Sequence, residues 1–180
     1  MFKYFVIFFI ILYSNAQATN KDKIIKNLQS TENLSFKFEQ NINGKIETGN
    51  CIIYYPKKIY CKYRKNNKIL ASNGKSLVIK TITSFYRYPL NKTPLNLILD
   101  KSFLIKKIYN LKEKILDKTH IAFEIKESDS EIKVFFDDKT FNLIGWQTKD
   151  IYQNVNITYL SSILINQQID KNLFNLPTQN

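Results

Sequence analysis

The chain has 180 residues, a length that predicts one domain with a substantial core. An apolar fraction of 44% excludes a disordered chain, and 14% aromatic residues with few glycines and prolines favour strands. The formal net charge of +12 points to a nucleic acid, an anionic membrane or an acidic partner, or else to lysines spread over solvent faces.

The N-terminus reads as an export signal. Lys3 is the only charge in residues 1–18, Tyr4 to Tyr13 is apolar, and Ala16-x-Ala18 is a small-x-small cleavage site. The apolar run is about half of the roughly 20 residues a spanning helix needs. Cleavage after Ala18 leaves Thr19 first, so residues 1–18 are expected as signal peptide and 19–180 as a single soluble domain. An uncleaved anchor is the alternative. No cysteine lies near the cleavage site to carry a lipid.

Ile24, Ile25 and Leu28 form one stripe of a helix over Asn20 to Gln29. Leu34 to Gln40 alternates, with Phe36 and Phe38 on one face and Lys37 and Glu39 on the other, as a half-buried strand does. Asn43-Gly44 turns into Lys45–Thr48. Asn50 to Tyr63 is a hairpin centred near Pro56. Cys51 and Cys61 are equidistant from that centre, so antiparallel pairing sets them opposite each other. An oxidising compartment would join them; otherwise they are two buried thiols. Lys68 to Ile82 is a hairpin about Asn73-Gly74, whose residues tolerate positive φ. Phe85 to Tyr88 is a short strand. Thr93-Pro94 starts a very apolar helix, in which Leu95, Ile98 and Leu99 must lie on something apolar. Phe103 to Tyr109 is mixed apolar and basic, and Leu111 to Asp117 reads as loop or turn.

The C-terminal half is strand-like. Ile121, Phe123 and Ile125 share one face, and Ile132, Val134 and Phe136 another, with Ser128-Asp129-Ser130 turning between them. Asp137 to Thr140 turns into Phe141–Asp150. Val155, Ile157 and Tyr159 alternate with polar residues, and Phe174 anchors the closing segment Asp170–Pro177. The order predicts class α+β: a curved antiparallel sheet with two helices on one face.

Catalytic patterns are sparse. His120 is the only histidine, in a strand-edge setting, and no nucleophile elbow, metal motif or glycine-rich phosphate loop is present. Neither a catalytic residue, a metal site nor a cofactor is assigned. Tyr60, Lys62, Tyr63, Arg64 and the Tyr86-Arg87-Tyr88 run could stack on bases. The export signal argues against nucleic acid, and one basic strand face explains the same pattern. Phe36, Phe38, Ile53, Ile59, Leu77, Ile79, Phe123 and Ile125 all point to one interior. Two short helices cover such a surface only in part, which fits either a cavity or a packed core.

The chain resembles the periplasmic lipoprotein carrier family, LolA. The resemblance lies in Phe36-x-Phe38-x-Gln40, Gly49 before a strand ending at Pro56, Asn73-Gly74-Lys75, and Tyr88-Pro89-Leu90 leading to Thr93-Pro94-Leu95 with Ile98-Leu99. Leu143 with Asp150, and Ile169 to Phe174 with Pro177, complete it. It implies an incomplete antiparallel β-barrel whose apolar cavity is covered by a lid of short helices. On that pattern the ligand site comprises Phe36, Phe38, Ile53, Ile59, Leu77, Ile79, Leu95, Ile98, Leu99, Phe123 and Ile125. It implies a monomeric, non-enzymatic carrier of acylated lipoproteins, loaded by an inner-membrane lipoprotein-releasing ABC transporter and unloaded to an outer-membrane acceptor. A general periplasmic lipid binder and the related outer-membrane receptor are the alternatives. Two positions depart from the family pattern: Cys61 stands where an aromatic is usual, and Tyr55 where some members carry a lid-tethering arginine.

Overall fold

The computed structural model describes residues 18–127, 130–149 and 154–179. The expected signal peptide, apart from Ala18, lies outside the described residues, as do Ser128 and Asp129 of the expected turn and Asp150 of the family pattern.

Helix α1, Asn20–Ser30, begins at a reciprocal cap. The Thr19 hydroxyl accepts from the Asp22 N–H, and the Asp22 carboxylate accepts from the Thr19 N–H at 3.0 Å. The Thr19 hydroxyl also donates to the Asp22 carboxylate at 2.7 Å, and this bond first, then the one from the Thr19 N–H, holds the Asp22 carboxyl below its ordinary range. Ile24 and Leu28, one turn apart, face inward and are buried.

Six strands then form a meander: β1 (Asn33–Ile42), β2 (Lys45–Tyr54), β3 (Lys58–Tyr63), β4 (Ile69–Asn73), β5 (Ser76–Lys80) and β6 (Phe85–Pro89). A crossover follows, made of the single turn α2 (Leu95–Ile98) and the helix α3 (Lys101–Asn110). A second meander returns as β7 (Lys114–Leu116), β8 (His120–Glu127), β9 (Ser130–Asp137), β10 (Leu143–Lys149) and β11 (Val155–Ile165).

The two meanders join where β1 pairs with β11, giving one eleven-stranded antiparallel sheet. β6 and β7 are its free edges, so the sheet curls without closing: an incomplete antiparallel barrel of class α+β. At the end of the β1–β11 ladder two asparagines clamp the chain. The Asn33 carboxamide accepts from the Gln167 N–H at 2.9 Å, and that of Asn166 accepts from the Glu32 N–H at 2.7 Å.

The crossover connects one free edge to the other, and its apolar side chains fill the concave face on the way. Ile98, Leu99, Leu104 and Ile108 are fully buried beside Ile24, Phe123, Ile125, Ile132 and Phe136. Beyond β11 the chain returns to the first meander. Phe174, in a 3₁₀ turn over Lys171–Phe174, meets the Tyr54 ring at 5.9 Å, and Lys80 Nζ donates to the Thr178 carbonyl at 2.8 Å. This tail straps the convex side, because Tyr54 and Lys80 point away from the inward Ile53 and Ile79.

Three segments differ from the sequence expectation. Phe103 to Tyr109 lies in a full helix, capped by Asp100, whose carboxylate accepts from the Phe103 N–H at 3.0 Å. The apolar run after Pro94 makes only one helical turn, and Lys114–Leu116 within the expected loop is an edge strand.

Candidate functional site

A cavity of about 370 Å³ opens on the concave side of the first meander. Strand alternation builds its wall: Phe38 from β1, Ile59 and Tyr63 from β3, Leu70 from β4, and Leu77 and Ile79 from β5. Pro94 and Leu95 close over it from α2, and Trp146 reaches it from β10. None of its lining residues comes from α1, α3, β8 or β9. The helices therefore fill the second half of the barrel and leave the first half open.

Cys51 and Cys61 are directly opposed in the β2–β3 ladder and joined by a disulfide that lines the cavity wall. Gly49 lies between Phe38 and Tyr63 in the register. A Cβ there would overlap the Phe38 ring, so glycine allows Phe38 to meet Tyr63 edge to face at 4.9 Å.

One side of the cavity is polar. The Tyr63 hydroxyl donates to Gln40 Oε1 at 3.2 Å, and Gln40 Nε2 donates to Thr158 Oγ1 at 3.3 Å. Thr148, Asn154 and Asn156 continue this side. Asn156 Oδ1 is buried and has no hydrogen-bond partner among the described residues. Lys68 sits over the Tyr63 ring at 4.1 Å and pairs with Glu47 at 2.6 Å. Burial pushes the Glu47 carboxyl up, but the hydrogen bond and charge of Lys68 outweigh it and hold it below the ordinary range. Burial and the Glu47 charge push the Tyr63 hydroxyl up, so it remains a donor.

Of the sequence-derived site residues, Phe38, Ile59, Leu77, Ile79 and Leu95 converge on the cavity, together with Cys51 and Cys61. Phe36, Ile53, Ile98, Leu99, Phe123 and Ile125 are buried in the packed core and do not line it. The polar side was not anticipated. Its signal was parity: Gln40 shares the face of Phe38, Thr148 that of Trp146, and Asn156 that of Thr158.

Tyr55 is buried at the end of β2, and Lys57 takes up the contact with the crossover. Its N–H donates to the Leu99 carbonyl at 2.9 Å and its ammonium pairs with Asp100 at 3.2 Å. His120 opens β8 with its Nδ1 at 3.2 Å from the Thr119 hydroxyl, away from the cavity. Among the described residues no group of three His, Cys, Asp or Glu could hold a metal ion. The arrangement offers an apolar slot with a hydrogen-bonding side, in the size range of small-ligand sites.

No curated protein matches the chain in sequence. Among solved structures it is similar to an uncharacterised conserved protein from Thermus thermophilus, at 6% identity and a TM-score of 0.51, over 89% of this chain and 93% of that one. A LolA superfamily protein from Nitrosomonas europaea aligns over 87% of this chain and 98% of its own, at 7% identity and a TM-score of 0.44. LprF from Mycobacterium bovis aligns over 84% and 94%, at 11% identity and a TM-score of 0.44. The family described as outer membrane lipoprotein carrier protein LolA matches residues 29–177, nearly all of the described chain. On that match, with the open barrel and its cavity beneath a short helical crossover, the chain belongs to the LolA family, a binding and carrier fold of the periplasm.

Proposed function

We propose that residues 1–18 direct export and that residues 19–180 act as a periplasmic carrier of acylated lipoproteins. It takes them from an inner-membrane releasing transporter and passes them to an outer-membrane acceptor. The protein works as a monomer and catalyses no reaction. The observation that carries this reading is the cavity left where Phe38, Ile59, Leu77, Ile79 and Leu95 face one another without being filled by α1 or α3.

The energetics favour such a container. Each buried CH₂ is worth about 0.8 kcal/mol, so an acyl chain does not cross water uncovered. The carrier must also release its cargo, which a slot with one polar side permits better than a wholly apolar one. Acylated peptides bring amide N–H groups beside their lipid. Those groups match the acceptor of Asn156, which has no partner among the described residues.

The test is titration of the protein with a fluorescent fatty-acyl probe. Saturable binding is expected, displaced by an acylated peptide and not by the same peptide without its lipid. Ile79→Trp should reduce binding with little loss of stability, since added bulk enters space that a close-packed core would not offer. No saturable binding in the parent, with Ile79→Trp strongly destabilising, would overturn the reading. Equal displacement by free fatty acid and acylated peptide would assign a general lipid binder instead.

A further inference from the structure

The charge of the chain is concentrated on one part of the barrel. Residues 48–99 contain ten Lys and Arg and no Asp or Glu, whereas residues 100–180 contain eleven of each sign. The acid-free stretch comprises the end of β2, all of β3–β6 and the crossover through α2. Within it, only Lys57 and Lys68 are in ion pairs among the described residues. Lys62, Arg64, Lys65, Lys75, Arg87 and Lys92 are exposed.

This basic end also carries uncovered apolar surface. Tyr86 pairs with Ile79 and Tyr88 with Leu77 in the β5–β6 ladder, so both tyrosines continue the cavity-lining face to the free edge of the sheet. Their rings stack at 6.4 Å, and they are 52% and 43% exposed. Ile82, at the tip of the β5–β6 turn, is 75% exposed. Lys75 and Lys92 flank this lip in sequence. Arg87, between the two tyrosines, projects on the other face of β6, where it donates to the Ser76 hydroxyl at 3.2 Å. The free edge met end-on therefore presents the tyrosines on one side and a cation on the other.

We propose that the β5–β6 edge is a docking face for the surface of an anionic phospholipid bilayer. Lys75, Arg87 and Lys92 meet the phosphates, and Tyr86, Tyr88 and Ile82 enter the headgroup layer. Lysine and arginine clusters are drawn to anionic leaflets, and tyrosine favours the membrane–water interface. An added peptide strand is the weaker occupant, because β6 ends at Pro89, which has no N–H to donate to a ladder. Docking there sets the mouth of the cavity beside the lipid. That purpose rests on the carrier reading; the docking itself does not.

The experiment is co-sedimentation of protein purified from the periplasm with vesicles of phosphatidylcholine alone or equimolar with phosphatidylglycerol. Binding to the anionic vesicles should be about tenfold tighter or more, and should fall as salt is raised. The variant Lys75→Glu/Arg87→Glu/Lys92→Glu should lose it. Lys106→Glu/Lys112→Glu/Lys126→Glu, with the same change of net charge at exposed sites of the other half, should keep it. Tyr86→Ser/Tyr88→Ser should weaken binding several-fold with the salt dependence unchanged. Thermal unfolding checks that each variant is folded.

Equal affinity for both vesicles, equal loss in the two charge-reversed variants, or no effect of the tyrosine pair would overturn the proposal. So would binding to soluble polyglutamate with none to vesicles, which would assign an acidic protein partner. The acyl-probe titration is done in solution without vesicles. Intact probe binding with no vesicle binding therefore refutes docking alone, and the reverse refutes the carrier reading alone.

Discussion

Asp100 holds Lys57 with one carboxylate oxygen, at 3.2 Å, and caps α3 with the other, at 3.0 Å from the Phe103 N–H. The two roles separate by substitution. Asp100→Asn keeps a good cap and loses the ion pair, for an expected cost of about 0.2–1 kcal/mol at this half-exposed site. Asp100→Ala loses both, for about 1–3 kcal/mol. Urea denaturation measures the series, and equal losses in the two variants would mean that the cap contributes nothing.

Ile98 and Leu95 lie in the same helical turn and face different surroundings. Ile98 is fully buried, so Ile98→Asp should cost more than about 4 kcal/mol and prevent folding. Leu95 lines the cavity, so Leu95→Ser should stay within about 1–2 kcal/mol of the parent while weakening acyl-probe binding. Circular dichroism with the probe titration tests the pair. A folded Ile98→Asp protein would mean that the turn is loosely held.

The disulfide joins residues ten apart in an already paired hairpin. Reduction should lower stability by about 2–3 kcal/mol on the loop-entropy account and leave the sheet folded. Denaturation with and without reductant gives the difference. Cys51→Ser/Cys61→Ser should match the reduced protein to within about 1 kcal/mol.

Glu124 accepts from Lys114 at 2.7 Å and pairs with Lys133 at 3.0 Å; these hydrogen bonds hold its carboxyl down to about 2. A depressed carboxyl contributes stability above its unfolded value of 4.5, and the contribution is lost as pH falls toward 2. Glu124→Gln should flatten the stability profile in that window and leave its slope near neutral pH unchanged. The site is exposed, so high salt should shrink the difference. Thermal unfolding at a series of pH values compares parent and variant.

The sheet was legible because its strands alternate. Phe36 and Phe38, or Phe123 and Ile125, declare which side faces inward, and the placing of Cys51 and Cys61 about Pro56 declares a register. α3 was hidden because Lys101, Lys106 and Lys107 break up its apolar residues, and its cap Asp100 adjoins the greasy run Leu95–Leu99. Leu104 and Ile108, one turn apart behind that cap, were the available signal. Alternation does not distinguish a residue that lines space from one that fills it. Phe38 and Phe36 have the same parity, and only the landing place of the crossover separates them. The polar side eluded the sequence for a related reason. Gln40 meets Thr158 at a separation of 118 residues, which no local pattern encodes.

That same seam bears on how the chain acquires its shape. Every other neighbouring pair of strands is joined by a hairpin or a short connection, so each meander can assemble as it emerges. The β1–β11 ladder waits for the last strand, and closing so long a loop is entropically slow. Until it forms, β1 presents a bare edge with Phe36 and Phe38 beside it, a template for pairing with another chain. A barrel built from two meanders is therefore itself in need of protection at birth, exposed to aggregation until its two halves meet.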